Sequence, residues 1–263
     1  MGSNKFEFGD YIEFEIKKRF GIITLNRLHR SNAFDIHQFE NLKKVVKYCQ
    51  KDEKIRGVIL TNNGTSFSTG IDLGAINGSD HEAVKYLEST AATICKLLYN
   101  GKPAISAING RTMGEGVVFS MCCDYRIATK ESFFQMPEIF SGVFTGTGCL
   151  ILFSKILGIP RTKIMCMFAE KINVHHALKL GLIDQIVNNK EDLMKNALEK
   201  AKFLFTKNQT VLNAIKLCAN HLGAMSYIKA YELEKEASAW YKYSDKNEFL
   251  GSFRDNFKLK NKE

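Results

Sequence analysis

Proline is scarce in this sequence, three among 263 residues, and no serine- and glycine-rich stretch separates its halves. Nothing marks a linker, and the length fits one sizeable domain with a substantial core. No apolar run reaches the roughly 18 residues that a transmembrane helix requires. The amino end, MGSNKFEFGD, lacks the apolar stretch of a secretory signal and contains acids, and Phe6 stands where a myristoylation motif needs Ser or Thr. A cytoplasmic location is the expectation. The cysteines (Cys49, Cys95, Cys122, Cys123, Cys149, Cys166 and Cys218) are odd in number and include no CxxC pair, so they read as reduced thiols. Histidines lack metal spacing too, and adjacent His175 and His176 would point to different faces of a helix, so no metal site is expected.

Acids are outnumbered, giving a formal charge of +9. That balance favours anionic partners, whether nucleic acid, lipid or a phosphate-bearing small molecule, without choosing among them. The apolar share of 45% and charged share of 25% are those of a folded globular chain and exclude a disordered one.

Residues 11 to 26 carry two alternating apolar runs around a basic turn at Lys17 to Arg19, which predicts a hairpin. Phe39, Leu42, Val45, Val46 and Cys49 recur at helical spacing within residues 37 to 50. A buried strand is expected at Gly57 to Thr61, then a helix over 81 to 99 and strands at Ala104 to Ile108 and Tyr125 to Ala128. Strands alternating with helices predict right-handed crossovers and a mostly parallel sheet. Beyond residue 146 the pattern is helical, with Gly181 placed to end one helix and Gly223 to punctuate another. The reading from pattern alone is one α/β domain with a helical carboxyl-terminal extension and no internal sequence repeat.

Two segments leave a strand, pass through glycine and enter a helix: SFSTGIDLGAI at 66 to 76 and NGRTMGEGVVFS at 109 to 120. Each offers free backbone N–H groups at a helix start, where partial positive charge favours an oxyanion or phosphate. Taken alone, such a turn reads first as structural.

The run LNRLHRSNAF at 25 to 34, followed by GVILTNNGTSFSTGIDL, KPAISAINGRTMGEGVVFSMCCDYRIA, FFQMPEIFSGVFTGTG and ALKLGLIDQIV, resembles the crotonase superfamily, the enoyl-CoA hydratases and isomerases. The resemblance spans roughly residues 12 to 255. It implies an α/β fold in which a spiral of ββα units forms two sheets, replacing the single-sheet expectation. It also implies a tail over 1–10, a core over 11–200, and a helical region over 201–263 that builds a homotrimer or dimer of trimers. The substrate would be an acyl-CoA thioester; coenzyme A enters as part of the substrate, with no prosthetic group.

By the same resemblance, the backbone N–H groups of Ile71 and Glu115 would hold an enolate oxygen. Removing a proton beside a thioester places charge on that oxygen, and preorganised donors lower the barrier most in a dry pocket. Glu115 departs from the usual glycine; its side chain either turns to solvent or enters the pocket, and turning away is the expectation, since a carboxylate beside an enolate opposes it. A typical hydratase uses two glutamates. The first position is Val118 here, which can neither move a proton nor orient water, and the second is Glu138 in QMPEI. A single carboxylate suits an isomerase that takes a proton from C2 of a 3-enoyl-CoA and returns it at C4.

Around the nucleotide and pantetheine the resemblance places Arg30, Asn32, Ala33, Ser68, Gly70, Ile71, Asp72, Leu73 and Gly74, with backbone contacts dominant. The usual basic residue is missing at Gly74, so Arg254 and Lys258 are candidates to meet phosphate. His29 would lie near CoA or in an exposed loop. Thr145, Thr147 and Cys149 would line the acyl pocket or cap a helix. Lys43, Lys47 and Lys51 form a stripe like that of an RNA-binding crotonase, but without interleaved aromatics they read as a solvated face. Three functions remain: a single-glutamate isomerase; another crotonase reaction such as hydration, decarboxylation or thioester hydrolysis; and a CoA- or RNA-binding module.

Overall fold

The computed structural model describes residues 8–76, 81–142, 144 and 147–222. Thr145, Gly223, Arg254 and Lys258 lie outside the described residues. The chain divides into two compact units, Met1–Phe205 and Thr206–Glu263.

The first unit opens with strands β1 (Ile12–Lys17) and β2 (Phe20–Leu25), paired antiparallel in full register. Lys18 and Arg19 make the two-residue turn with φ of 47° and 67°, the left-handed pair that tight hairpins use. Helix α1 (Ile36–Lys51) begins where the Asp35 side chain accepts the Gln38 N–H at 2.8 Å, an N-cap. There follow β3 (Gly57–Asn62), β4 (Ser66–Ser68), the short α2 (Leu73–Ile76) and α3 (His81–Asn100). The pattern then recurs as β5 (Ala104–Ile108), β6 (Arg111–Met113) and α4 (Glu115–Met121), and again as β7 (Tyr125–Thr129), β8 (Phe133–Gln135) and a 3-10 turn over Glu138–Ser141.

Alternate strands of these units enter different sheets. One has six strands in the order β1-β2-β3-β5-β7-β10, parallel from β2 onward; the other has four in the order β4-β6-β8-β9. This two-sheet spiral corrects the single-sheet expectation drawn from pattern alone. β4, β6 and β8 are three residues each, too short to leave a periodic signal.

Strand alternation divides the core. Phe20, Ile22, Ile59, Ile105 and Ile127 face α8 (Lys190–Phe205), where Leu193, Ala197 and Ala201 meet them. Ile23, Leu25, Val58, Leu60 and Ile108 join the larger cluster with the buried faces of α1 and α3. Burial on both faces explains why β3 and β5 read as continuous apolar runs.

Polar side chains lock the turns between the sheets. Asn62 Nδ2 donates to the Ser66 and Asn109 carbonyls at 2.9 and 3.1 Å, and Asn62 Oδ1 accepts the Asn109 N–H at 3.0 Å. One unit further on, Thr129 Oγ1 reaches Asn109 Oδ1 at 3.2 Å, and Ser132 Oγ accepts the Gly110 N–H at 3.0 Å. A Cβ on Gly110, whose φ is 88°, would lie 2.0 Å from the Thr65 carbonyl oxygen, so glycine is required there.

The unit is completed by α5 (Cys149–Leu157), α6 (Ile159–Met167), β9 (Ile172–Asn173), α7 (Val174–Leu180), β10 (Gln185–Val187) and α8. Gly181 ends α7 in the left-handed conformation, as its position predicts. Helix α8 runs through residue 200 to Phe205. In the second unit, α9 (Gln209–Leu222) starts where Asn208 Oδ1 accepts the N–H groups of Thr210 and Val211 at 2.9 and 3.2 Å. No helix among the described residues is long and apolar enough to cross a membrane.

Candidate active site

The two glycine turns meet. Each leaves the four-stranded sheet from a neighbouring strand, β4 or β6, so parallel pairing carries them side by side. A Cβ on Gly70 would lie 3.2 Å from the Glu115 backbone nitrogen and 3.3 Å from Gly114 Cα. A Cβ on Gly116 would lie 2.9 Å from the Ser68 carbonyl oxygen. Gly70 and Gly114 both hold positive φ, 85° and 50°, where a side chain is strained regardless of space.

Strand-like geometry aims the first donor. Phe34 forms a parallel bridge with Ile71, donating its N–H to the Gly70 carbonyl at 2.8 Å and accepting that of Asp72 at 2.9 Å. Because successive backbone groups alternate sides, the Ile71 N–H points away from Phe34. Glu115 is the first residue of α4, so its N–H lacks an intrahelical acceptor. Neither N–H meets a protein acceptor among the described residues. Two such donors on converging turns can receive an oxyanion.

A carboxylate stands beside them. β8 lies next to β6, and Pro137 turns the chain back so that Glu138 opens the 3-10 turn over the end of β6. A Cβ on Gly114 would lie 2.7 Å from Glu138 Oε1. Glu138 Oε2 is buried without a hydrogen-bond partner among the described residues, a costly state for a polar atom. Burial pushes the Glu138 carboxyl above its ordinary value.

The Glu115 side chain does not turn to solvent. It is 6% exposed, with Oε2 3.4 Å from the Thr147 hydroxyl and Oε1 4.0 Å from Cys95 Sγ. Helix α3 packs on α4 and sets Cys95 against the Glu115 carboxyl. Burial, with Glu138 and Glu88 adding negative charge against the stabilising hydrogen bond from Thr147, pushes the Glu115 carboxyl up to about 7. Thr147 therefore faces Glu115 rather than capping a helix: the N-cap of α5 is Gly148, without a side-chain bond. Cys149 is fully buried in the larger core cluster, and Val118 is 1% exposed in the same cluster.

The remaining candidates separate by what their side chains already do. Asn32 is buried and its carboxamide is engaged, accepting the Arg27 N–H at 2.7 Å and donating to the Ser66 and Asn63 carbonyls at 2.7 and 3.1 Å. Ser68 Oγ accepts the Gly70 N–H at 3.1 Å. Asp72 is ion-paired to Arg27 at 2.8 Å; burial alone would raise its carboxyl, but that guanidinium holds it below the ordinary value. Ala33 is buried beside this loop, while Arg30, Leu73 and Gly74 are exposed. His29 is exposed with its ring 5.1 Å from that of Tyr11. Lys43 pairs with Glu40 and lies over the Tyr86 ring, whereas Lys47 and Lys51 are exposed. No group of three metal-ligating side chains occurs among the described residues.

Sequence reasoning passed over Arg27. Its guanidinium bridges Asp35 and Asp72 at 2.8 Å each and donates to the Ala33 carbonyl at 3.1 Å. The signal was a cation between the end of an apolar strand and a helix-capping Asp, with an acid in the first glycine turn to receive it.

Residues 15–261 match the profile of the enoyl-CoA hydratase/isomerase family. The chain belongs to this family. YngF of Bacillus subtilis, named for the same hydratase/isomerase group, is 30% identical over 218 residues, covering 81% of this chain and 82% of its own. A crotonyl-CoA hydratase of Syntrophomonas wolfei is 25% identical, covering 86% and 87% respectively. The solved enoyl-CoA hydratase of Bacillus anthracis superposes with a TM-score of 0.84 at 24% identity, covering 94% of this chain and 97% of that one. This last likeness concerns the fold.

Proposed function

We propose that this family member moves the double bond of a 3-enoyl-CoA to give the 2-enoyl isomer. The observation that carries the reading is the pairing of Glu138, whose buried Oε2 lacks a partner among the described residues, with the apolar Val118 at the other acid position. The ionised Glu138 takes a proton from C2. The C–H electron pair enters the C1–C2 bond, and the thioester oxygen becomes an oxyanion between the N–H groups of Ile71 and Glu115. The dienolate collapses as Glu138 returns the proton to C4, leaving the double bond between C2 and C3. No proton, water or electron is consumed, so one base is sufficient. Loss of one oxyanion donor would cost about 3 kcal/mol of transition-state stabilisation.

On this reading CoA lies against the loop at Arg30 to Ala33 and the turn at Ser68 to Gly74. Since the side chains of Asn32, Ser68 and Asp72 are engaged, backbone groups of these segments make the contacts, with exposed Arg30 available to phosphate. The carboxyl-terminal unit serves assembly into a trimer or dimer of trimers, and the protein works in the cytoplasm.

A second reading rests on one observation: Glu115 is a buried carboxyl raised to about 7, chiefly by burial, with the Glu138 charge adding to the shift. Those two carboxyls could share the water activation and protonation of a hydratase. Incubation with 2-enoyl-, 3-enoyl- and malonyl-type CoA thioesters, with products identified by mass and NMR, separates the cases. Isomerisation leaves the mass unchanged, hydration adds one water, and efficient hydration of crotonyl-CoA would overturn the single-base reading.

A further inference from the structure

We propose that Arg27 is a positioning residue that sets the direction of the Ile71 N–H. The inference rests on the oxyanion role proposed above for that group.

Arg27 lies outside both glycine turns, yet its guanidinium joins three points of the chain that hold Ile71. Nη1 binds Asp72 Oδ2 at 2.8 Å and the Ala33 carbonyl at 3.1 Å, while Nη2 binds Asp35 Oδ2 at 2.8 Å. Ala33 and Asp35 flank Phe34, and Phe34 forms the bridge to Ile71. Asp72 is the next residue after Ile71. One planar group thus ties both sides of the Phe34–Ile71 bridge, with its side chain only 12% exposed. The Arg27 backbone is itself held, its N–H donated to Asn32 Oδ1 at 2.7 Å and its carbonyl accepting the Asn32 N–H at 3.0 Å. The turn is therefore braced against a loop that cannot readily shift.

The pairing has an electrostatic effect as well. Asp72 carries a carboxylate one residue from an oxyanion donor, and unpaired it would oppose charge developing there. Arg27 offsets part of that charge, the same guanidinium being shared with Asp35. A lysine could supply the cation but not the planar fork that reaches Asp72, Ala33 and Asp35 together.

The test compares wild type, Arg27→Lys, Asp72→Asn and Asp35→Asn. Asparagine at 35 keeps the N-cap while removing one ion pair, and so serves as the control. Two readouts are taken: kcat and KM on the isomerisable substrate, and the near-ultraviolet enolate absorption of bound acetoacetyl-CoA. Arg27→Lys and Asp72→Asn are expected to lower kcat by about 10-fold to 100-fold, with KM within about threefold, and to reduce the bound enolate fraction at saturation. Asp35→Asn should change the enolate fraction least. A merely structural role would lower thermal stability yet leave the folded protein's enolate signal intact. Wild-type enolate absorption retained in folded Arg27→Lys and Asp72→Asn would overturn the inference; if Arg27→Lys does not fold, Asp72→Asn decides. If wild type itself stabilises no enolate, the oxyanion reading fails first, and the role of Arg27 with it.

Discussion

Glu138 occupies the space that a side chain at Gly114 would need, with its Oε1 2.7 Å from where that Cβ would be. Glycine at 114 therefore serves two ends: a backbone φ of 50° and room for the carboxylate. Gly114→Ala is expected to displace Glu138 and to lower kcat by about 100-fold, the typical effect of a misplaced reacting group. The variant should still fold, with a modest loss of thermal stability from the strained φ. Normal kcat in folded Gly114→Ala would show that Glu138 need not stand there.

Glu138→Gln keeps the shape of the side chain and removes the base. Isomerase kcat should fall by about 100-fold to 10,000-fold while acyl-CoA affinity, measured by calorimetry, stays nearly unchanged. A variant retaining more than roughly a third of wild-type kcat would remove Glu138 from the proposed mechanism.

Glu115 gives the site a pH limit. Its carboxyl, raised to about 7, is neutral in acid and ionises as the pH climbs past neutrality, adding charge beside the enolate and Glu138. Activity should rise with pH as Glu138 deprotonates and then decline above about 7, and Glu115→Gln should abolish the decline. Glu115→Gly should also preserve activity. Loss of at least about 100-fold in both folded variants would instead make Glu115 a second proton-transfer group and favour hydration.

The same group predicts a stability trend. The folded protein keeps the Glu115 proton between the ordinary glutamate value near 4.5 and about 7, whereas the unfolded chain releases it there. Wild type should therefore lose stability across that window, by roughly 3 kcal/mol at most, and no further above it. Urea unfolding of wild type and Glu115→Gln at pH 5 and pH 8 checks the sign: the glutamine variant should gain relative to wild type at the higher pH.

Val118→Glu puts a carboxyl at the position where the resemblance implies a hydratase's first glutamate. It is expected to introduce or increase hydration of 2-enoyl-CoA, read as a gain of one water by mass. Val118 is 1% exposed, so the new acid will be partly protonated and the fold weakened by about 1–3 kcal/mol. Substrate binding by the variant is the control that makes a negative result meaningful.

The linear sequence determined the elements whose burial is periodic and marked the two glycine turns. The hairpin, α1, α3 and strands β3, β5 and β7 follow from apolar spacing, because each must hide a defined face or both faces. Glu138 and the two turns were legible as motifs, and the resemblance carried by those motifs pointed to the family. Tertiary structure decided what local pattern does not encode. Three-residue strands form a second sheet because neighbouring units pair them, and Arg27 braces Ile71 only because Asp72, 45 residues away, folds against it. The Glu115 side chain shows the same limit. A carboxylate there is expected to turn to solvent because its charge would oppose an enolate, but the fold buries it against Cys95 and Thr147, and desolvation then shifts its proton rather than its position.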